Sequence, residues 1–142
     1  MLVIDASAAF ASCANEHGFD EFEGRNLVAP ALMWSEARSA IREQLWRGEI
    51  ANDDAEATHT RLEECPIEQR SPANLGARAW EVARELGWAK TYDAEYVALA
   101  QILGCKLLTL DKRLQRGTQR LGCVITPDEL LAPETLRPDD EG

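Results

Sequence analysis

Short apolar runs alternate with stretches in which apolar residues return every three or four positions. That order predicts a layered α/β domain on a parallel sheet. Leu2–Ile4 reads as a buried strand and Ala6–Asn15 as the helix that follows. Leu27–Ala29 predicts a second strand, stopped by Pro30. From Ala31 to about Gly48, Trp34, Ala37, Ile41 and Leu45 share one helical face, and Gly48 ends the helix. Asp53–Glu64 is a far more polar helix, so the two make a helical hairpin at about 31–64. Pro66–Glu68 carries only a faint strand pattern. Ser71 and Pro72 suit the N-cap and first position of a helix striped by Leu75, Ala79, Val82 and Leu86 and closed by Gly87. Asp93–Leu103 predicts another helix, with Tyr96, Leu99, Ala100 and Leu103 inward and Gly104 at its end. Lys106–Leu110 is a clear strand, followed after Asp111 by a short helix, a last strand at Cys123–Thr126 and a short helix at Pro127–Leu131. The fold class is therefore α/β, a single domain over 1–131 with a short central parallel sheet flanked by helices. Pro, Asp and Glu dominate from Ala132 onward, which predicts an acidic, disordered tail over 132–142.

Composition narrows the function classes. The chain has 142 residues, 45% hydrophobic, enough for one sizeable core. Its apolar runs are too short and too interrupted by charge for a membrane span. The Met-Leu-Val-Ile-Asp start lacks the pattern of a secretory signal, so a cytoplasmic protein is expected. A net charge of −10 argues against gripping nucleic acid by bulk positive charge. It does not exclude a nuclease, because carboxylates can hold the metal ions that face a phosphate. The charge is also uneven, with Lys106, Lys112, Arg113, Arg116 and Arg120 against the single acid Asp111 in 106–120. Cysteines at 13, 65, 105 and 123 and histidines at 17 and 59 form no zinc or redox motif.

Candidate chemistry lies in four acids. Asp5 directly follows the first strand and Asp111 follows Lys106–Leu110, which places both at the carboxyl edge of a parallel sheet, where such folds bind ligands. Asp93 begins a helix, and Glu36 lies on the first turns of another; helices after strands start at that same edge. Each Asp also suits a helix N-cap, and Glu36 alone suits a solvated helix face. Together, four like charges in one crevice repel unless a cation sits among them. An oxygen-only set of this kind suits Mg²⁺ or Mn²⁺ and chemistry on phosphates.

Four segments carry a family resemblance: Val3–Ala8 (VIDASA), Ala29–Glu36 (APALMWSE), Thr91–Ala100 (TYDAEYVALA) and Leu107–Leu114 (LLTLDKRL). In that order and spacing the chain resembles the PIN-domain ribonucleases, and among them the VapC-type toxins of toxin–antitoxin pairs. The resemblance spans residue 2 to about 131. It implies that Asp5, Glu36, Asp93 and Asp111 form an acidic pocket for Mg²⁺ or Mn²⁺. It gives Ser7 and Thr109 supporting places beside those acids. Glu95 departs from the pattern, which often has an uncharged residue there, and is not counted among the ligands. The implied activity is endoribonucleolytic, with a metal-activated water hydrolysing RNA phosphodiester bonds. The implied partners are RNA, a VapB-type antitoxin whose Arg enters the pocket, and a second copy in a homodimer.

Two further readings come from the residues. Arg113, Arg116 and Arg120 fall at i, i+3 and i+7, so one continuous helix after Asp111 would present them, with Lys112, to an RNA backbone. Trp46 adjoins Leu45 rather than extending its stripe, and is either an exposed anchor for the antitoxin or an edge of the core. Two other functions share such a fold. A phosphatase or phospho-accepting regulator would use Asp as a covalent nucleophile, but the second Asp common two positions after the first is Ser7 here. A non-catalytic interaction module would need no acids in register.

Overall fold

The computed structural model describes residues 1–131, so the expected tail over 132–142 lies outside the described residues. Five strands form one parallel sheet in the order β3-β2-β1-β4-β5. They are β1 (Leu2–Ile4), β2 (Leu27–Ala29), β3 (Ile67–Gln69), β4 (Lys106–Leu108) and β5 (Val124–Ile125). The helices are α1 (Ala6–Cys13), α2 (Leu32–Trp46), α3 (Asn52–Glu63), α4 (Leu75–Leu86), α5 (Tyr92–Leu103), α6 (Lys112–Gly117) and α7 (Pro127–Leu131). Among the described residues no helix is long and apolar enough to cross a membrane.

The central strands read as unbroken apolar runs because both of their faces are covered. Val3, Val28 and Leu107 are each 0% exposed. β1 occupies the centre, with Val3 in register with Val28 on one side and Leu107 on the other. From β1 the chain moves outward to β2 and β3, then crosses back to place β4 on β1's other flank. The connections therefore diverge at β1, and in such sheets ligands bind outside the carboxyl ends of the strands at that point. Helices α2 and α3 form the expected hairpin, packing on one another and on α1. The Arg38 guanidinium ties the pair, donating to His59 Nε2 at 3.1 Å and to Glu63 at 2.5 Å on α3.

Several boundaries differ from the sequence reading. The helix after Ser71–Pro72 begins at Leu75, with Asn74 as its N-cap. Arg70 still bonds the Ala29 carbonyl, and Pro72–Leu75 closes a separate turn, so the backbone is not yet helical at Ser71. α1 stops at Cys13 rather than Asn15. β4 ends at Leu108 rather than Leu110, and the Thr109 hydroxyl beyond it donates to the Asp5 carboxylate and accepts the Asp111 N–H. The faint strand at 66–68 is real but shifted by one residue, at the sheet's edge. Gly87 and Gly104 do close their helices, at φ 69° and 66°, a conformation costly for any residue with a Cβ.

Candidate active site

Asp5 is the first residue past β1. Its side chain is buried and caps α1: Oδ1 accepts the Ala8 N–H at 2.9 Å and the Ser7 hydroxyl at 2.7 Å. Oδ2 accepts the hydroxyl of Thr109, which is itself fully buried. Those three bonds leave acceptor capacity, since a carboxylate offers about four acceptor sites. Burial nevertheless outweighs the three bonds, and with Asp93 adding its charge the Asp5 carboxyl is held above its ordinary range.

The same hydroxyls fasten the ends of β1 and β4 together. Ser7 Oγ accepts the Leu110 N–H at 3.0 Å and stands 3.3 Å from Thr109 Oγ1. Thr109 Oγ1 accepts the Asp111 N–H at 3.0 Å. Asp111 then caps α6, its Oδ1 accepting from the Arg113 and Leu114 amides at 2.9 and 3.3 Å. Asp5 and Asp111 thus cap helices while standing at the carboxyl edge of adjacent strands. The capping and site-forming readings are compatible, not alternatives.

Asp93 does not cap α5. Thr91 is the N-cap, and Asp93 lies in the first turn with its side chain exposed. Partial burial raises its pKa, the Asp111 charge adds to the rise, and Arg113 opposes it. Glu36 is half-buried on α2, and its Oε1 accepts the Tyr96 hydroxyl at 2.5 Å. Burial raises the Glu36 pKa, the Tyr96 bond lowers it, and the charges of Asp93, Asp5 and Glu95 raise it further. Asp93 is therefore the common neighbour, felt by Asp5 and Glu36 and itself feeling Asp111. Glu95 is close enough to be felt by Glu36 and is itself raised by burial.

Tyr96 is the residue that sequence reasoning placed only in the core. It is 1% exposed, and its hydroxyl meets both Glu36 and the Ala6 backbone N–H. One phenol thereby links α5, α2 and the turn that carries Asp5. The available signal was a tyrosine, not a phenylalanine, at a buried position three residues after Asp93, since a buried phenol needs a partner.

The basic stretch is divided. Lys112, Arg113 and Arg116 are exposed on α6, beside Asp111. α6 ends at Gly117, and Arg120 sits in a separate 3-10 turn with its guanidinium on the Glu85 carbonyl at 2.7 Å. The three arginines do not share one continuous helix, because α6 ends at Gly117 and a separate turn follows at Gln119–Leu121. Trp46, at the end of α2, is 83% exposed rather than at the core's edge.

The donor set has the chemistry of a hard-cation site: only carboxylate and hydroxyl oxygens, with mutual repulsion and little internal positive charge. Among the described residues no group of three or more Asp, Glu, His or Cys side chains is gathered closely enough to hold a metal ion by itself. A Mg²⁺-like ion would need fewer protein ligands, since it takes one or two carboxylates and completes its shell with waters and substrate phosphates.

Comparison with known proteins agrees with this geometry. The PIN domain family model matches residues 2–118. Ribonuclease VapC9 of Mycobacterium tuberculosis is 33% identical over 132 residues, covering 89% of this chain and 97% of that protein. Ribonuclease VapC3 of Pyrobaculum aerophilum is 32% identical over 133 residues, covering 89% of this chain and 98% of its own. The crystal structure of PAE2754 from Pyrobaculum aerophilum superposes with a TM-score of 0.66 at 26% identity, covering 92% of each chain. A parallel sheet with acids gathered at its carboxyl edge, matched along most of its length by ribonucleases, places this chain in the PIN domain family, among the VapC ribonucleases.

Proposed function

We propose that Asp5, Glu36, Asp93 and Asp111 hold Mg²⁺ or Mn²⁺, and that the chain cuts RNA internally as the toxin of a toxin–antitoxin pair in the cytoplasm. One observation supports this reading: Thr109 joins Asp5 to the Asp111 backbone, while Asp5 and Glu36 both feel the Asp93 charge and Asp93 feels that of Asp111. The family generally uses a divalent metal, which supplies Lewis-acid stabilisation of the phosphate and activation of a water. The chain's own residues do the positioning. Ser7 and Thr109 fix the Asp5 carboxylate, Tyr96 fixes Glu36, and the amides of α6 fix Asp111. Lys112, Arg113 and Arg116 face solvent beside these acids and would receive the RNA backbone; Arg120 lies apart from them, on the Glu85 carbonyl.

The partner that silences such a toxin is a VapB-type antitoxin. A guanidinium entering the acid cluster would satisfy it by charge-assisted bonds, and exposed Trp46 offers an apolar anchor on the hairpin. The toxin pairs with a second copy as a homodimer. Expression of this chain alone should arrest bacterial growth, and co-expression of the antitoxin should restore it. Unimpeded growth with abundant folded protein contradicts the toxin reading.

Tyr96→Phe should lower kcat and Mn²⁺ affinity roughly 10- to 100-fold, the usual effect of removing a bond that orients a metal ligand. A double-mutant cycle checks the route: on a Glu36→Gln background Tyr96→Phe should add little. Arg113→Glu with Arg116→Glu, in a catalytically dead protein, should weaken RNA binding and flatten its salt slope by about 1.4, or about 0.7 per phosphate contact. An unchanged slope in binding titrations moves the RNA path elsewhere.

A further inference from the structure

Next to the acid cluster, the outward face of α2 meets the start of α5 in a hollow of about 370 Å³. Leu32, Ser35, Glu36, Ser39 and Glu43 line it from α2. They fall at i, i+3, i+4, i+7 and i+11, so they share one helical face, away from the buried Met33, Ala37 and Ile41. The two serines are small and leave the floor open. The wall across from them is Tyr92, the residue before Asp93. Tyr92 is 54% exposed, and among the described residues its ring and hydroxyl have no hydrogen-bond or ring partner. An exposed aromatic face without a partner, set beside a phosphate-handling site, is what single-stranded nucleic acid uses for stacking.

The charges decide what enters. Glu36 and Glu43 both line the hollow, so a phosphate is repelled and a neutral, planar group with hydrogen-bond donors is favoured. Glu43 makes only a 3.9 Å exposed ion pair with Arg47, which leaves its carboxylate available. A carboxylate accepts from the exocyclic amino group of a base and is mismatched to a carbonyl at the same place. We propose that this hollow is a nucleobase subsite, where a base flanking the scissile phosphate stacks on Tyr92 and donates its amino group to Glu43. Glu36 joins the subsite to the cluster, so a base seated here sets which phosphate reaches the acids. The proposal rests on the RNA-cleaving reading of those acids.

The test measures binding of labelled oligocytidylate and oligouridylate, an amino–carbonyl pair at the same ring position, to the full chain carrying Asp93→Asn. The cytidine RNA should bind tighter. Tyr92→Ala should weaken both RNAs roughly 5- to 150-fold, the range for loss of one base–aromatic stack, while Tyr92→Phe keeps the affinity. Glu43→Gln should erase the cytidine preference, since an amide can both donate and accept. Unchanged affinity in Tyr92→Ala, or an intact preference in Glu43→Gln, overturns the subsite while leaving the ribonuclease reading in place. If the parent binds neither RNA, that reading falls and takes the subsite with it. If Tyr92→Ala changes only the oligomeric mass, a second copy covers this face and the subsite is overturned.

Discussion

Asp93→Asn should lower RNA hydrolysis at least about a hundredfold and, in metal-free buffer, raise the melting temperature. The first effect follows if this carboxylate helps hold a metal worth several kcal/mol to the transition state, since each 1.4 kcal/mol is tenfold in rate. The second follows from its surroundings. Partial burial and the Asp111 charge raise the Asp93 pKa, with Arg113 opposing them. A carboxyl whose folded pKa is raised binds its proton more tightly in the native state than in the unfolded one. Its favourable contribution is complete below the ordinary carboxyl range and is lost as pH rises through the raised pKa. The advantage of the Asn variant should therefore be small near pH 4 and larger at neutral pH. Asp5 and Glu36 are raised in the same direction, so the metal-free wild type should also gain from them on mild acidification. The macrodipole of α5 favours an acid in its first turn, so a net rise means that repulsion and desolvation exceed that benefit. Thermal melts across pH, with chelator and with Mn²⁺, check each part. A lower melting temperature without metal would make Asp93 a helix-stabilising residue first.

Thr109→Val should destabilise the fold and disable the site together. Valine matches threonine in shape, so the change isolates the hydroxyl. That hydroxyl is fully buried, donates to Asp5 and accepts the Asp111 N–H. Its removal leaves an acceptor on a buried carboxylate and a backbone donor unsatisfied, at a cost of roughly 1.5–3 kcal/mol. For a domain of this size that corresponds to a melting temperature lower by about 5–12 °C. Asp5 and Asp111 would also lose the group that links them, so cleavage should fall even where the protein remains folded. Thr109→Ser keeps the hydroxyl and should recover most of both properties. Equal stability of the Val variant and the wild type would show that the hydroxyl only fills space.

The sequence made the sheet legible where burial is two-sided. Leu2–Ile4 and Leu27–Ala29 are apolar at every position because helices cover both faces, and the structure has both strands at those bounds. The place of Asp5 followed from the strand before it, whereas Asp111 stands three residues past the end of β4 and is placed by capping α6. The start of α4 was less legible, because Ser71 and Pro72 suit a helix start and a turn equally well. Here a tertiary bond from Arg70 to Ala29 decided for the turn. The end of β4 was obscured by Thr109, whose β-branched side chain looks like a strand residue but whose hydroxyl serves the site. The Tyr96–Glu36 bond joins residues sixty positions apart, and no periodicity reveals such a pair. Arg120 reads as continuous with Arg113 and Arg116 by spacing alone, but α6 ends at Gly117 and the Arg120 guanidinium is held on the Glu85 carbonyl.

The most direct measurement is the chemistry of the ends left on a single-stranded RNA cut by the purified protein. With Mg²⁺ or Mn²⁺ present, the products should carry a 5′-phosphate and a 3′-hydroxyl, as attack by an external water requires. No cut should occur with a chelator or with Asp93→Asn. Cleavage that persists in chelator, or that leaves a 2′,3′-cyclic phosphate through attack by the 2′-oxygen, would contradict the account.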